Sequence, residues 1–173
     1  MQIRGQWLAI AGAVGLVVTV VASLTIWRAE AQVMAHQKEF LRAVEDRKAK
    51  KIDRLLAANY ADAWGFDRLD VLLACDDLRR CFLAVGFAVQ DEKVEVSGGT
   101  GSYQARLRLQ GSPVGAGQFI RERANRLREP FVFTWRKAGW LPWDWRLHRI
   151  DQVELTSLEG YEPGALRELL DIE

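Results

Sequence analysis

The last strand pair of the fold is encoded by residues 131–147, FVFTWRKAGWLPWDWRL. Phe131, Phe133 and Trp135 alternate with smaller or polar residues, which predicts a strand with one aromatic face. The glycine-containing run at 137–139 predicts a loop, and a second strand is predicted from Trp143 to about Leu155. Such a set of tryptophans favours core packing at a hairpin edge, with stacking on a planar ligand as the alternative.

Two more strands are predicted before this pair. Residues 83–96 alternate around a charged break at Asp91 and Glu92, which is typical of a bent or bulged strand. Tyr103 to Gln110 alternates between apolar residues and Gln or Arg, as a half-exposed antiparallel strand does. The glycines at 98–101 between them match no dinucleotide or phosphate-loop spacing, so they predict a hairpin turn.

Helical patterns fill most of the remaining chain. Residues 28–59 contain no Pro or Gly and carry apolar residues at helical spacing, which predicts one long helix. Asp67 is a predicted N-cap of a second helix, with Asp70 three residues later and an apolar face through Val71, Cys75, Leu78 and Phe82. A loop at 111–117, an arginine-rich helix over 119–128 and a short terminal helix over 164–171 complete the prediction.

The N-terminal residues Leu8–Ile26, LAIAGAVGLVVTVVASLTI, carry no charge and are bracketed by Trp7 and Trp27. A bilayer core needs roughly 20 helical residues, so this stretch predicts a single span and makes the lipid bilayer the first expected partner. A cleaved signal peptide, with Ala29-Glu30-Ala31 as the cleavage site, is the alternative, but signal peptides have shorter apolar regions.

Localisation follows from this span. More basic residues follow the span than precede it, which by the positive-inside rule would place the domain in the cytoplasm. Long domains, however, are translocated largely regardless of their charge. We expect a single-pass protein of the inner (plasma) membrane with its domain outside the cytoplasm.

Charge and cysteine content exclude several classes of protein. The net charge of +1 gives no general attraction to nucleic acid, and the basic stretch 103–150 is balanced by the acidic stretch 151–173. No Cys or His cluster has metal-ligand spacing, so neither a metal nor a cofactor is expected. Cys75 and Cys81 can form a disulfide only if the helix ends between them, and two unlinked cysteines are the favoured prediction.

The order of elements resembles the nuclear transport factor 2-like superfamily, which includes ketosteroid-isomerase-like enzymes. The resemblance is carried by residues 52–64, IDRLLAANYADAW, and by residues 131–147, and it covers about residues 35–156. It implies an α+β fold in which a curved antiparallel sheet wraps around a long N-terminal helix. The expected organisation is an anchor at 1–28, this domain at 29–156 and an acidic tail with a short helix at 157–173.

The resemblance also implies a cavity at the open end of the cone. The aromatic residues expected to line it are Tyr60, Trp64, Phe87, Tyr103, Phe133 and Trp135. The apolar strand faces offer no carboxylate, and only His36 and His148 are available as imidazole bases. The remaining catalytic candidates are therefore Asp151 and the pair of Asp62 as a base and Tyr60 as a proton donor. Structural roles for Asp62 and Tyr60 are favoured.

These features predict a non-catalytic, membrane-tethered domain that binds a small apolar ligand or assists protein assembly. A scaffold subunit would present a self-complementary sheet face built on Arg106, Arg108 and Arg136, through which the chain would form a homodimer. An isomerase or lyase that uses Asp62 and Tyr60 is the third alternative. Fold alone does not choose among them.

Overall fold

The computed structural model describes residues 28–141, 143–155 and 161–165 of the chain, which form an α+β fold. The predicted span Leu8–Ile26 and most of the predicted terminal helix lie outside the described residues. The described elements are α1 (Ala29–Glu45), α2 (Ala49–Leu55), α3 (Arg68–Cys81), β1 (Phe82–Ser97), β2 (Thr100–Pro113), α4 (Gly117–Arg126), β3 (Phe131–Lys137) and β4 (Trp145–Asp151). None of the described helices is long and apolar enough to cross a bilayer.

The four strands form one antiparallel sheet in the order β1-β2-β3-β4. The predicted hairpin turn is confirmed, since Gly98 and Gly99 adopt φ values of 56° and 81° between β1 and β2. The predicted irregularity of β1 is a register shift between Gln90 and Lys93. Two further shifts occur, one between Phe82 and Ala84 in β1 and one after Thr134 in β3, where His148 of β4 has no paired residue.

Helix α1 packs on the buried face of this sheet. Its Val33 lies over Gly101, where a Cβ atom would come within 2.5 Å of Cγ2 of Val33. Gln37 accepts a 3.0 Å hydrogen bond from the indole of Trp135, and Phe40 meets Phe133 edge-on at 6.4 Å. The core is therefore built between α1 and the aromatic side chains of β2, β3 and β4.

The prediction of one helix over 28–59 is wrong. Helix α1 ends at Glu45, Arg47 adopts a left-handed φ of 58°, and α2 begins at Ala49. The guanidinium of Arg47 donates to the carbonyl oxygens of Phe82, at 2.8 Å, and Leu83, at 2.5 Å. These contacts at the start of β1 stabilise a break that helical periodicity does not reveal.

Helix α3 begins as predicted. Oδ1 of Asp67 accepts from the amides of Leu69 and Asp70, while Oδ2 of Asp70 accepts from the amide of Asp67, which makes a reciprocal capping box. The helix runs through both Cys75 and Cys81, and both thiols are free, as favoured from their spacing. Phe82, predicted on this helix face, instead opens β1.

Three further boundaries differ from the predictions. The predicted loop at 111–117 is partly strand, because β2 continues to Pro113. Helix α4 starts two residues earlier than predicted, at Gly117, and ends at Arg126. Strand β4 spans only Trp145–Asp151, and Trp143, the predicted first residue of this strand, is 51% exposed in the preceding loop.

Candidate functional site

The segment 57–63 runs along the free edge of β4 and positions the two catalytic candidates. The amides of Ala57, Ala61 and Ala63 donate to the carbonyl oxygens of Leu147 (2.8 Å), His148 (3.2 Å) and Ile150 (3.3 Å). Tyr60 and Asp62 are buried in this segment, while their neighbour Ala61 is exposed. The chain between α2 and α3 thus brings both side chains to the core.

Tyr60 and Asp62 line a cavity of about 320 Å³ between α1, α3 and the sheet. This volume lies at the small end of the roughly 300–1,000 Å³ range of ligand sites. The wall is otherwise almost entirely apolar, and its described lining contains one carboxylate and no Lys, Arg or His. The lining residues are Phe40, Leu41, Val44, Tyr60, Asp62, Trp64, Phe66, Val71, Ala74, Cys75, Leu78, Phe87, Leu107, Leu109, Ala124, Phe131, Phe133, Ile150, Leu155 and Tyr161.

Asp62 organises the loop that follows it. Its Oδ1 accepts 2.9 Å hydrogen bonds from the amides of Trp64 and Phe66. Burial raises the pKa of the Asp62 carboxyl, while the bonds from these amides and from Tyr60 act in the opposite direction. Both of these backbone bonds end on Oδ1, so one carboxylate oxygen holds the turn from Asp62 to Phe66.

The Tyr60 hydroxyl is buried beside this carboxyl. Burial, followed by the charge of Asp62, raises the pKa of the phenol, which keeps it a neutral donor. The hydroxyl lies close enough to Asp62 for this mutual effect, yet it makes no hydrogen bond of good geometry to a described residue. Tyr60 and Asp62 therefore form an interacting polar pair within an otherwise apolar wall.

Cys75 also contributes to the cavity wall. Burial raises the pKa of its thiol to about 12. The thiolate is the nucleophilic form, so this cysteine reacts slowly at neutral pH.

The chain after β4 forms one wall of the cavity. The indole of Trp64 donates to the carbonyl oxygen of Leu155. The side-chain oxygen Oε1 of Gln152 accepts from the amides of Glu154, at 2.6 Å, and Leu155, at 2.9 Å. Farther on, Tyr161 stacks edge-on against Phe66 at 6.3 Å. We name Leu155 and residues 161–165 the C-terminal strap.

The structure brings together four of the six aromatic residues predicted to line the cavity: Tyr60, Trp64, Phe87 and Phe133. Tyr103 and Trp135 lie outside the lining, and both are fully buried in the core. The Tyr103 hydroxyl donates to Glu92 at 2.7 Å, and the Trp135 indole donates to Gln37. Their partners on β1 and α1 therefore account for their polar atoms.

Sequence reasoning missed the strap and Cys75 as parts of the site. Cys75 was assigned to an apolar helix face, which is correct, but periodicity does not show that this face borders a cavity. Tyr161 lies in a stretch without regular spacing, so periodicity does not indicate that its side chain lines the cavity.

The remaining polar candidates lie elsewhere. Nδ1 of His36 lies 2.8 Å from the carbonyl oxygen of Gln32 in α1. The pKa of His148 is lowered by partial burial and by the charge of Arg136. Among the described residues, no group of three His, Cys, Asp or Glu side chains could hold a metal ion.

The three arginines of the predicted dimer face differ in whether they have partners within the chain. Arg106 pairs with Asp91, and Arg108 donates to the carbonyl oxygen of Asn125, whereas Arg136 is exposed. Two of the three charges are thus engaged within the chain.

Comparison with known proteins identifies the fold. No family model and no curated protein sequence matches the chain. Among solved structures, a conserved protein from Planctomyces limnophilus aligns with a TM-score of 0.56 and 14% identity over 70% of this chain and 91% of its own. An NTF2-like protein of unknown function from Pseudomonas putida aligns with a TM-score of 0.52 and 13% identity over 70% of this chain and 83% of its own.

A proposed dehydratase of the NTF2-like family from Streptomyces avermitilis aligns with a TM-score of 0.50 and 18% identity, over 70% of this chain and 91% of its own. Identities this low show a shared fold and no shared activity. Together with the element order and the sheet described above, they show that the chain has the α+β fold of nuclear transport factor 2-like proteins.

Proposed function

We propose that this chain is a membrane-tethered domain that binds a small, uncharged and mainly apolar molecule in the cavity. The observation that carries the proposal is the cavity of about 320 Å³, whose described lining is mainly aromatic and aliphatic and contains a single carboxylate, that of Asp62. Sites of this kind combine apolar walls with a few polar groups that fix the orientation of the ligand.

The charge of the site defines the ligand further. An anionic ligand would find no Lys, Arg or His in the described lining and would meet the Asp62 carboxyl. Burying an unpaired charge is costly, so an anion should bind more weakly than a neutral molecule of the same shape. A neutral molecule would avoid this cost and bury its surface against the aromatic side chains of the lining.

The tether is proposed from the sequence. The uncharged stretch Leu8–Ile26 is long enough to span a bilayer, and it precedes α1 by two residues. We place the chain in the inner membrane with its domain outside the cytoplasm. A homodimer formed through the sheet face stays a secondary proposal, because Arg106 and Arg108 already have partners within the chain.

An isomerase or lyase is the second candidate, favoured by the position of Asp62 in the cavity wall. Burial raises the pKa of the Asp62 carboxyl toward neutral pH, which favours its action as a general base. Tyr60 is a neutral proton donor nearby. The test is deuterium exchange at the carbon next to the carbonyl of α-tetralone, followed by NMR. Catalysis by the wild type but not by Asp62→Asn would establish the enzyme; equal rates would exclude this role.

Native mass spectrometry of the whole chain, released from detergent micelles, tests ligand binding. We expect a reproducible small-molecule adduct on the wild type. The matched control is Ala74→Phe, which adds a ring to the cavity wall and should remove the adduct. An adduct that Ala74→Phe retains, or no adduct on the wild type, would count against the cavity as the binding site.

A further inference from the structure

The N-terminus of α1 and the tips of both hairpins lie at the same end of the domain. Val33, in the second turn of α1, contacts Gly101 at the start of β2, and His36 meets Trp135 at 5.9 Å near the end of β3. The amide of Lys137 donates to the carbonyl oxygen of Gly99 at 3.0 Å, which joins the two hairpins. The C-terminal end of α1 lies away from the hairpin tips. Its Glu45 accepts a 2.8 Å hydrogen bond from the amide of Phe87, which is in the first half of β1.

The loop between β3 and β4 exposes two tryptophans at this end. The side chain of Trp140 is 87% exposed and that of Trp143 is 51% exposed, whereas Trp135 and Trp145 in the flanking strands are fully buried. The loop backbone is held by a 2.8 Å bond from the amide of Ala138 to the carbonyl oxygen of Asp144. The exposed indoles are thus presented by a hydrogen-bonded loop.

Basic side chains flank these indoles. Arg136 and Lys137 are exposed at the base of the loop. Arg146 on the opposite strand pairs with Asp144 at 2.9 Å, which neutralises the acid of this loop. Trp and basic side chains together are typical of protein surfaces that meet the lipid headgroups, where an indole buries its ring and keeps its N–H in the polar layer.

The length of chain before α1 determines how far this end can lie from a bilayer. Only Trp27 and Arg28 separate the proposed span from Ala29. At about 3.5 Å per residue, three extended links reach roughly 10 Å. The headgroup layer is itself roughly 5–8 Å thick on each side of the hydrocarbon core, so a domain tethered this closely keeps this end at the membrane surface.

We propose that the β3–β4 loop docks on the membrane surface, with Trp140 and Trp143 in the headgroup layer and Arg136 and Lys137 against lipid phosphates. This inference rests on the proposed tether and goes beyond it, because it fixes which end of the domain faces the bilayer. The lipid surface is chosen over a protein partner because the short connection to the span brings the loop to the bilayer.

Quenching of a fluorophore by lipids tests the docking. The whole chain is reconstituted into phosphatidylcholine vesicles that contain phosphatidylglycerol and a lipid with a nitroxide on its headgroup. A bimane label is placed at Trp140→Cys, and the matched control is Leu83→Cys, which is 72% exposed at the opposite end of the sheet. Cys81 is buried but Cys75 is only partly buried, so both label positions are introduced into a chain in which the two native cysteines are replaced by Ala.

We expect quenching at position 140 to exceed quenching at position 83 by at least about twofold, because the indole site lies in the headgroup layer. Flotation of the vesicles tests the tether separately. A chain that floats with the vesicles but shows equal quenching at both positions would overturn the docking while leaving the tether intact. Shielding of position 140 from aqueous iodide without lipid quenching would also overturn it, in favour of contact with a second copy.

Discussion

The hydroxyl of Tyr161 donates a 3.0 Å hydrogen bond to Oδ2 of Asp77, which lies 84 residues earlier in α3. The same oxygen accepts from the amide of Gly164 at 2.7 Å, and Asp77 is only 2% exposed. One buried carboxylate therefore fastens the C-terminal strap to the helix that forms another wall of the cavity.

Removing the Tyr161 hydroxyl should loosen the strap and expose Cys75. Hydrogen bonds to charged groups contribute about 1.5–3 kcal/mol, so Tyr161→Phe should raise the rate at which N-ethylmaleimide labels Cys75 by about tenfold. The measurement is peptide mass spectrometry of the whole chain at timed intervals. Tyr103→Phe is the control, since its hydroxyl also meets a carboxylate, that of Glu92, but does not touch the strap. An unchanged rate at Cys75 would show that the strap does not limit access.

Asp62 should stabilise its loop through Oδ1, whatever its role toward a ligand. Asp62→Ala removes the acceptor of two backbone bonds and should lower the free energy of unfolding by about 2–3 kcal/mol. Asp62→Asn keeps an oxygen at that position and should cost less than about 1 kcal/mol. Urea denaturation of the whole chain in a mild detergent measures both.

The wild type and Asp62→Asn should also differ in how the free energy of unfolding depends on pH. Burial raises the folded-state pKa of Asp62 above its ordinary value of 3.8, so the folded protein holds the proton more tightly than the unfolded chain. The stability of the wild type relative to Asp62→Asn should therefore fall as pH rises from the ordinary carboxyl value through the raised folded-state pKa, and level off above it. A relative stability that increases with pH in this window would be inconsistent with the burial of this carboxyl.

Asn125 of α4 completes the edge of β2 where β3 has ended. Its side-chain oxygen accepts from the amide of Leu109 at 2.7 Å, and its side-chain nitrogen donates to the carbonyl oxygen of Leu109 at 2.9 Å. Asn125→Ala leaves both backbone groups without this partner and should destabilise the chain by about 1–3 kcal/mol. Gln118→Ala, on the exposed side of the same helix, should change stability by less than about 0.5 kcal/mol. Equal urea midpoints for the two variants would refute this role.

Arg47 adopts an unfavourable left-handed backbone conformation, while its side chain forms stabilising hydrogen bonds to the start of β1. Arg47→Gly removes the cost of a φ of 58° but loses the bonds to the start of β1, whereas Arg47→Ala loses those bonds and keeps the cost. The Gly variant should therefore be more stable than the Ala variant by about 1 kcal/mol, and both less stable than the wild type. Thermal unfolding of the three proteins tests this order, and a more stable Ala variant would contradict it.

Local patterns predicted most of the elements. The capping box of Asp67 and Asp70, the glycine turn at 98–99 and the aromatic alternation of β3 each involve residues close in sequence, and each is present in the structure. The break at Arg47 was missed because its partners, the carbonyl oxygens of Phe82 and Leu83, lie more than 30 residues away.

The site was predicted only in part for the same reason. Tyr60 and Asp62 could be proposed because they follow a recognisable helix, and both line the cavity. Tyr103 and Trp135 were expected beside them because they share a strand face with cavity residues. Position along the strand, which alternation does not reveal, instead places Trp135 against Gln37 of α1 and the Tyr103 hydroxyl against Glu92 of β1. The strap depends on Asp77 and Tyr161, whose pairing is a long-range contact.

The most direct test of the proposed function is calorimetric titration of the whole chain with β-naphthol and with β-naphthoate, which share one ring system but differ in charge. In a mild detergent, partition of the probe into micelles is the same for the wild type and for Ala74→Phe, so their difference reports the cavity. The account predicts saturable binding of β-naphthol to the wild type, its loss in Ala74→Phe, and at least about tenfold weaker binding of β-naphthoate. Identical heats for the wild type and Ala74→Phe, or tighter binding of the anion, would contradict a cavity that selects uncharged apolar molecules.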